Sequence, residues 1–152
     1  MANNYTQATV SPSIPASAIT PLELELLNYM GLTGDKYTHD GTELYYFYAE
    51  EYLTVIDDCF ELDICGDTEI DPADAVYLED GKPINGIESC DVFQNILKRL
   101  PVDEFPHITI QGADTCSKMR ADNFGGFAVY ITRESIEFCS TWAWLNEKTS
   151  QK

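Results

Sequence analysis

The chain has 152 residues, with 26 Asp and Glu against nine Lys and Arg, for a formal net charge of −17. That length suits one ordinary domain with its own core, and 44% hydrophobic with 12% aromatic content excludes a solvated acidic tail, because disordered acidic chains are poor in aromatics. So few bases also argue against binding nucleic acid or anionic membrane surfaces, both of which need Lys and Arg to meet negative charge.

Residues 1–19 are small and polar with no charge, and read as a flexible leader. They have neither the basic start nor the apolar stretch of a signal peptide. Thr20 then looks like a helix N-cap, with Pro21 at the first helical position and Glu23 in the first turn. Leu22, Leu26, Leu27 and Met30 give that helix one apolar stripe, and Gly31 or Gly34 closes it.

From Thr42 the period changes to two. Leu44, Tyr46 and Tyr48 fall on one face of a strand, with Tyr45 and Phe47 on the other. Tyr52 to Ile56 reads as a short β-branched run, and Phe60, Leu62 and Ile64 alternate with Glu61 and Asp63 as a half-buried strand. Ala75 to Glu79 and Lys82 to Ile84 read as a hairpin across Asp80-Gly81.

Val92, Phe93, Ile96, Leu97 and Leu100 recur at helical spacing, so a second helix is expected from Ser89 to Leu100, stopped by Pro101. A strand from His107 to Gln111 follows, then a polar loop, then a hairpin pairing Phe127–Thr132 with Ile136–Cys139. Trp142, Trp144 and Leu145 are expected in a terminal turn or helix packed on the core. The predicted fold is a single α+β domain over 20–152, with one mainly antiparallel sheet of about five to seven strands, two longer helices and a short C-terminal helix.

Charge is distributed unevenly along this fold. Between Glu43 and Asp91 lie eight Asp and seven Glu against one base, Lys82, so this segment carries −14. The remainder has eleven acids and eight bases, a net of −3. Such a skew points to an interaction surface. Glu50, Glu51, Asp57, Asp58, Glu61, Asp63, Asp67, Glu69, Asp71, Asp74, Glu79 and Asp80 are its candidate contact residues. At the charge spacing of duplex DNA, about 1.7 Å, fourteen charges span about 24 Å. A domain of this length is about 38 Å across, so one side can hold them at a density close to that of DNA.

Other chemistry is thinly represented. Asp63, Asp67, Glu69, Asp71 and Asp74 alternate like oxygen ligands, but Thr68 stands where a calcium loop needs glycine. The five cysteines, at 59, 65, 90, 116 and 139, form no ligand pairs with one another or with His39 and His107. They read as reduced thiols of a cytoplasmic protein. His107 is the one plausible general base, with Cys116 or Cys139 as nucleophile and Asp114 as orienter. Its plainer reading is a structural histidine near cysteines that behave as small hydrophobes. Lys118 and Arg120 in the Gly112–Gly126 loop make an anion-binding loop conceivable, without any Walker or GxGxxG pattern.

In charge, size and absence of catalytic groups, the chain resembles the acidic DNA-mimic inhibitors that phages and plasmids encode against host restriction or CRISPR systems. The resemblance implies a non-enzymatic inhibitor, without cofactor or metal, acting on the basic surface of a nucleic-acid-binding protein or complex as a monomer or homodimer. A second expectation is a cytosolic adaptor or regulatory subunit anchored by Tyr45, Tyr46, Tyr48, Tyr52 and Trp142, since Tyr and Trp are enriched among interface hot spots. A third is a small enzyme using His107.

Overall fold

A computed structural model describes residues 4–52, 71–79, 82–84, 86–116 and 124–150. In chain order these form β1 (Asn4–Ser11), β2 (Ile14–Pro15), α1 (Pro21–Tyr29), β3 (Leu32–His39), β4 (Thr42–Ala49), β5 (Leu78–Glu79), β6 (Lys82–Pro83), α2 (Ser89–Lys98), β7 (Ile108–Cys116), β8 (Gly125–Ile131), β9 (Ile136–Ser140) and α3 (Thr141–Ser150). The domain is α+β, as the periodicities imply.

Among the described residues, seven strands make one antiparallel sheet, running in the order β3, β4, β1, β7, β8, β9, with β2 also paired to β4. Cross-strand partners share a face, so the register fixes which residues reach the core. One inner row runs Val10, Ile110, Val129, Phe138, and a second runs Leu32, Ala49, Ala8, Gly112, Phe127. Against this face lie the apolar stripes of α1 and α2, Leu22, Leu26, Leu27 and Met30 from α1 and Val92, Phe93, Ile96 and Leu97 from α2.

Local chemistry sets the helix ends as anticipated. Glu23 N donates to Thr20 Oγ1 at 3.1 Å and Thr20 N donates to Glu23 Oε1 at 3.0 Å, a reciprocal capping box. Gly31 ends the helix region at φ +86°, where a Cβ would sit 1.9 Å from the Glu51 carbonyl oxygen, so glycine is required.

Several expectations need correction. The leader is overturned: residues 4–11 form β1, paired along its full length with β7 and at Ala8 and Thr9 with β4. Its alternation of Ala8 and Val10 against Gln7 and Thr9 uses small side chains, too weak a contrast to read as a strand. Leu32–His39, not anticipated as a strand, is β3, an edge strand exposed along most of its length and so free of an apolar pattern. Ala75–Tyr77 belong to a 3-10 helix, Pro72–Tyr77, leaving a hairpin only from Leu78 onward. Asp71 starts that turn by accepting from Ala73 N at 2.9 Å, with Pro72 at its first position.

The Gly112–Gly126 loop is shorter than expected, because its first residues continue β7 and Gly125 and Gly126 begin β8. The C-terminal helix is present, but it buries none of its residues, and Trp142 is 70% exposed. The strand expected over 60–64, and all but Tyr52 of the run expected over 52–56, lie outside the described residues.

Candidate binding surfaces

Of the twelve acidic contact residues, five are described. Glu50 and Glu51 are exposed just past the end of β4, Asp71 is exposed at the cap of the 3-10 helix, and Glu79 is exposed on β5. Asp74 is corrected: it is buried, 6% exposed, and accepts from Thr20 Oγ1 at 2.6 Å. Burial first, and then the neighbouring charge of Glu23, raises its pKa, while the Thr20 bond opposes the shift. Asp57, Asp58, Glu61, Asp63, Asp67, Glu69 and Asp80 lie outside the described residues.

The bases do little to offset this charge. Among the described residues, Lys and Arg make two ion pairs with acids, Lys36–Glu43 at 3.3 Å and Arg99–Glu23. Arg133 spends its guanidinium on the Leu100 carbonyl at 2.8 Å, and Lys148 lies over the Trp144 ring at 5.7 Å. Glu50, Glu51 and Asp71 therefore face solvent without an ion pair to the described Lys and Arg side chains, whereas Glu79 stands opposite Lys82 in the β5–β6 register.

Sequence reasoning missed a buried polar cluster. Glu23 is fully buried and holds three partners: Arg99, the Tyr77 hydroxyl at 2.5 Å and Thr20 N. Burial, followed by the hydrogen bond and charge of Glu23, holds the Tyr77 phenol well above its ordinary range. Burial by itself lowers the Arg99 pKa, but Glu23 outweighs it and the net shift is upward. These contacts tie α1, the end of α2 and the 3-10 helix within the acidic segment into one unit. The available signal was a Glu at the third helical position beside a leucine stripe, which capping alone explains in sequence.

Among the described residues, the sheet face opposite the core is largely open. One row across it runs Tyr48, Thr9, Gln111, Ala128, Cys139. Tyr46 and Tyr48 stack on each other at 5.9 Å, and the Tyr48 phenol is held above its ordinary range first by the charge of Asp35. At the other end, Trp144 of α3 overhangs Gln111, Ala128 and Cys139 to wall a cleft of about 430 Å³. Of the five expected anchors, Tyr46, Tyr48 and Trp142 reach the surface. Tyr45 packs beside Phe47 at 5.8 Å, and Tyr52 is buried with its hydroxyl 2.5 Å from Ser89 Oγ. Trp144, which the sequence assigned to the core, is instead 58% exposed.

His107, Cys139 and Asp114 are not brought together. His107 sits at the entrance of β7, tilted against Tyr130 at 5.4 Å. Asp114 lies seven residues further along the same extended stretch, about 23 Å away, where it accepts from Thr6 Oγ1 at 2.7 Å. The Cys116 side chain, Lys118 and Arg120 lie outside the described ones. Among the described residues no group of three His, Cys, Asp or Glu is placed to hold a metal ion, and no helix is long and apolar enough to cross a membrane. No protein-family model, curated protein or solved structure matches the chain.

Proposed function

We propose that this protein is a non-enzymatic acidic inhibitor that occupies the cationic nucleic-acid-binding groove of a defence complex, of the restriction or CRISPR kind, in place of DNA. The observation that carries the reading is the −14 segment from Glu43 to Asp91. Its exposed, described acids Glu50, Glu51 and Asp71 make no ion pair with the described bases, of which Lys36, Arg99 and Arg133 are committed elsewhere. An uncompensated anionic surface attracts a basic groove over long range and excludes nucleic acid itself. The partner is thus a basic protein surface, with no direct nucleic-acid contact by this chain.

The test is inhibition of DNA cleavage by purified restriction and CRISPR effectors. Inhibition is expected to be competed by duplex DNA and to weaken steeply between about 50 and 200 mM salt. Reversing Glu50, Asp57 and Glu61 to Lys together is expected to abolish it. Equal affinity at both salt concentrations would sink the electrostatic mechanism.

A second reading, an adaptor docking through the outer sheet face, is favoured by the stack of exposed Tyr46 on half-buried Tyr48. In that case Tyr48→Ala weakens partner binding by ~30-fold or more, while the triple charge reversal changes it little.

A further inference from the structure

The two edges of the sheet differ in kind. β3 carries Asp35, Lys36 and His39 along an exposed edge, the charged composition that keeps edges from pairing with other chains. β9 reads Ile-Glu-Phe-Cys-Ser, has no Lys or Pro, and pairs only with β8 among the described residues. Its inner-face side chains stay open, Ile136 at 36% and Phe138 at 66% exposed, and the helix that follows exposes Trp142 at 70% and Leu145 at 55%. Large apolar side chains left exposed along an unpaired edge strand mark it as a site where another strand can add.

We infer that β9 is the interface of a two-fold homodimer, in which the β9 strands of two copies pair antiparallel and join both sheets into one. Three observations select a second copy as the occupant. First, an aromatic ladder runs outward from the core, Tyr52 to Phe127 at 5.9 Å and Phe127 to Phe138 at 6.2 Å, and ends in an open rung. Second, β9 has five residues with Phe138 at its centre, so a two-fold axis there makes the strand self-complementary. Phe138 meets the partner's Phe138 and extends the ladder, Ile136 meets the partner's Ser140, and Glu137 meets the partner's Cys139, so the two glutamates do not oppose each other.

Third, this is the part of a −17 chain that two copies can bring together. Residues 124–150 hold Glu134, Glu137 and Glu147 against Arg133 and Lys148, a net of −1. β4, which leads to Glu50 and Glu51, lies four strand spacings from β9, about 19 Å at ~4.8 Å each. In the joined sheet the two β4 strands are about 43 Å apart, far beyond the ~8 Å screening length at physiological salt.

The inference is independent of what the acidic segment binds, and its test needs no partner. Light scattering coupled to size exclusion, run from low micromolar to near-millimolar chain, is expected to give twice the chain mass. Phe138→Lys is expected to weaken dimerisation by ~30-fold or more with an unchanged circular dichroism spectrum, whereas Thr38→Lys on the opposite edge leaves the dimer intact. In a Cys139→Ser background, Phe138→Cys is expected to form an intermolecular disulfide under mild oxidation. A monomer at every concentration overturns the inference, as does a dimer that survives Phe138→Lys. It is equally overturned if a monomer protects its residue 136–140 amides from exchange only when another protein is added, since the edge then serves that partner.

Discussion

Glu23 shows how far one side chain departs from its sequence-level role. Leucines flank it on a helix whose apolar stripe is buried, and its carboxylate goes inward with them because Arg99, Tyr77 and Thr20 meet it there. Among the described residues no buried side-chain nitrogen or oxygen lacks a partner. Removing one partner leaves a charge in low dielectric, so Arg99→Met is expected to cost about 3 kcal/mol in urea unfolding. The double variant Arg99→Met with Glu23→Leu should recover much of that loss. Additive losses would show that the two side chains do not act as a pair.

Asp74 contributes with a definite sign. Its folded pKa lies above the ordinary carboxylate value of 3.8, first because of burial. Its contribution to stability is full below that value and is lost as pH rises through the raised one. Asp74→Asn keeps an acceptor for the Thr20 hydroxyl and abolishes the titration. The variant's stability relative to the wild type is therefore expected to grow from pH 3 toward neutrality. A gap that does not change with pH would contradict this assignment.

At the scale of elements, the sheet depends on β1 and on close approach within its inner rows. β1 bridges β4 and β7, so deleting residues 4–11 separates the two halves of the sheet. Loss of a cooperative thermal transition is expected for that deletion, whereas removal of a leader would leave the transition in place. At Gly112 a Cβ would lie 2.1 Å from Phe127 Cζ and 2.7 Å from the Gln7 carbonyl oxygen. Phe127 is held between Tyr52 and Phe138, so Gly112→Ala is expected to destabilise by about 1–3 kcal/mol. Denaturant midpoints measure it.

For the whole molecule, a net charge of −17 stores self-repulsion that opposes the compact state. Raising salt from about 10 to 150 mM shortens the screening length from ~30 to ~8 Å, and the melting temperature is expected to rise with it. A falling melting temperature would mean that attractive ion pairs dominate. The two described Lys/Arg–acid pairs, one of them fully on the surface, are too few to do so. Among the described residues, the same charge, the open sheet face and the apolar β9 edge give the domain three chemically distinct surfaces, and only the first follows from composition.

The sequence by itself determined the class, α1 with its Thr20 cap, α2, the buried stripes of both, the Tyr/Phe-rich strand, the C-terminal hairpin and the uneven charge. Each of those is written in a local period, a cap or a turn, where neighbours in the chain are neighbours in space. Only the tertiary structure decided that a small-residue N-terminal segment sits mid-sheet, that Glu23 and Asp74 turn inward while Trp142 and Trp144 turn out, and which tyrosines remain accessible. Those outcomes depend on partners far along the chain (Arg99 is 76 residues from Glu23, and Asp114 is 108 from Thr6), and no local pattern encodes such a partner.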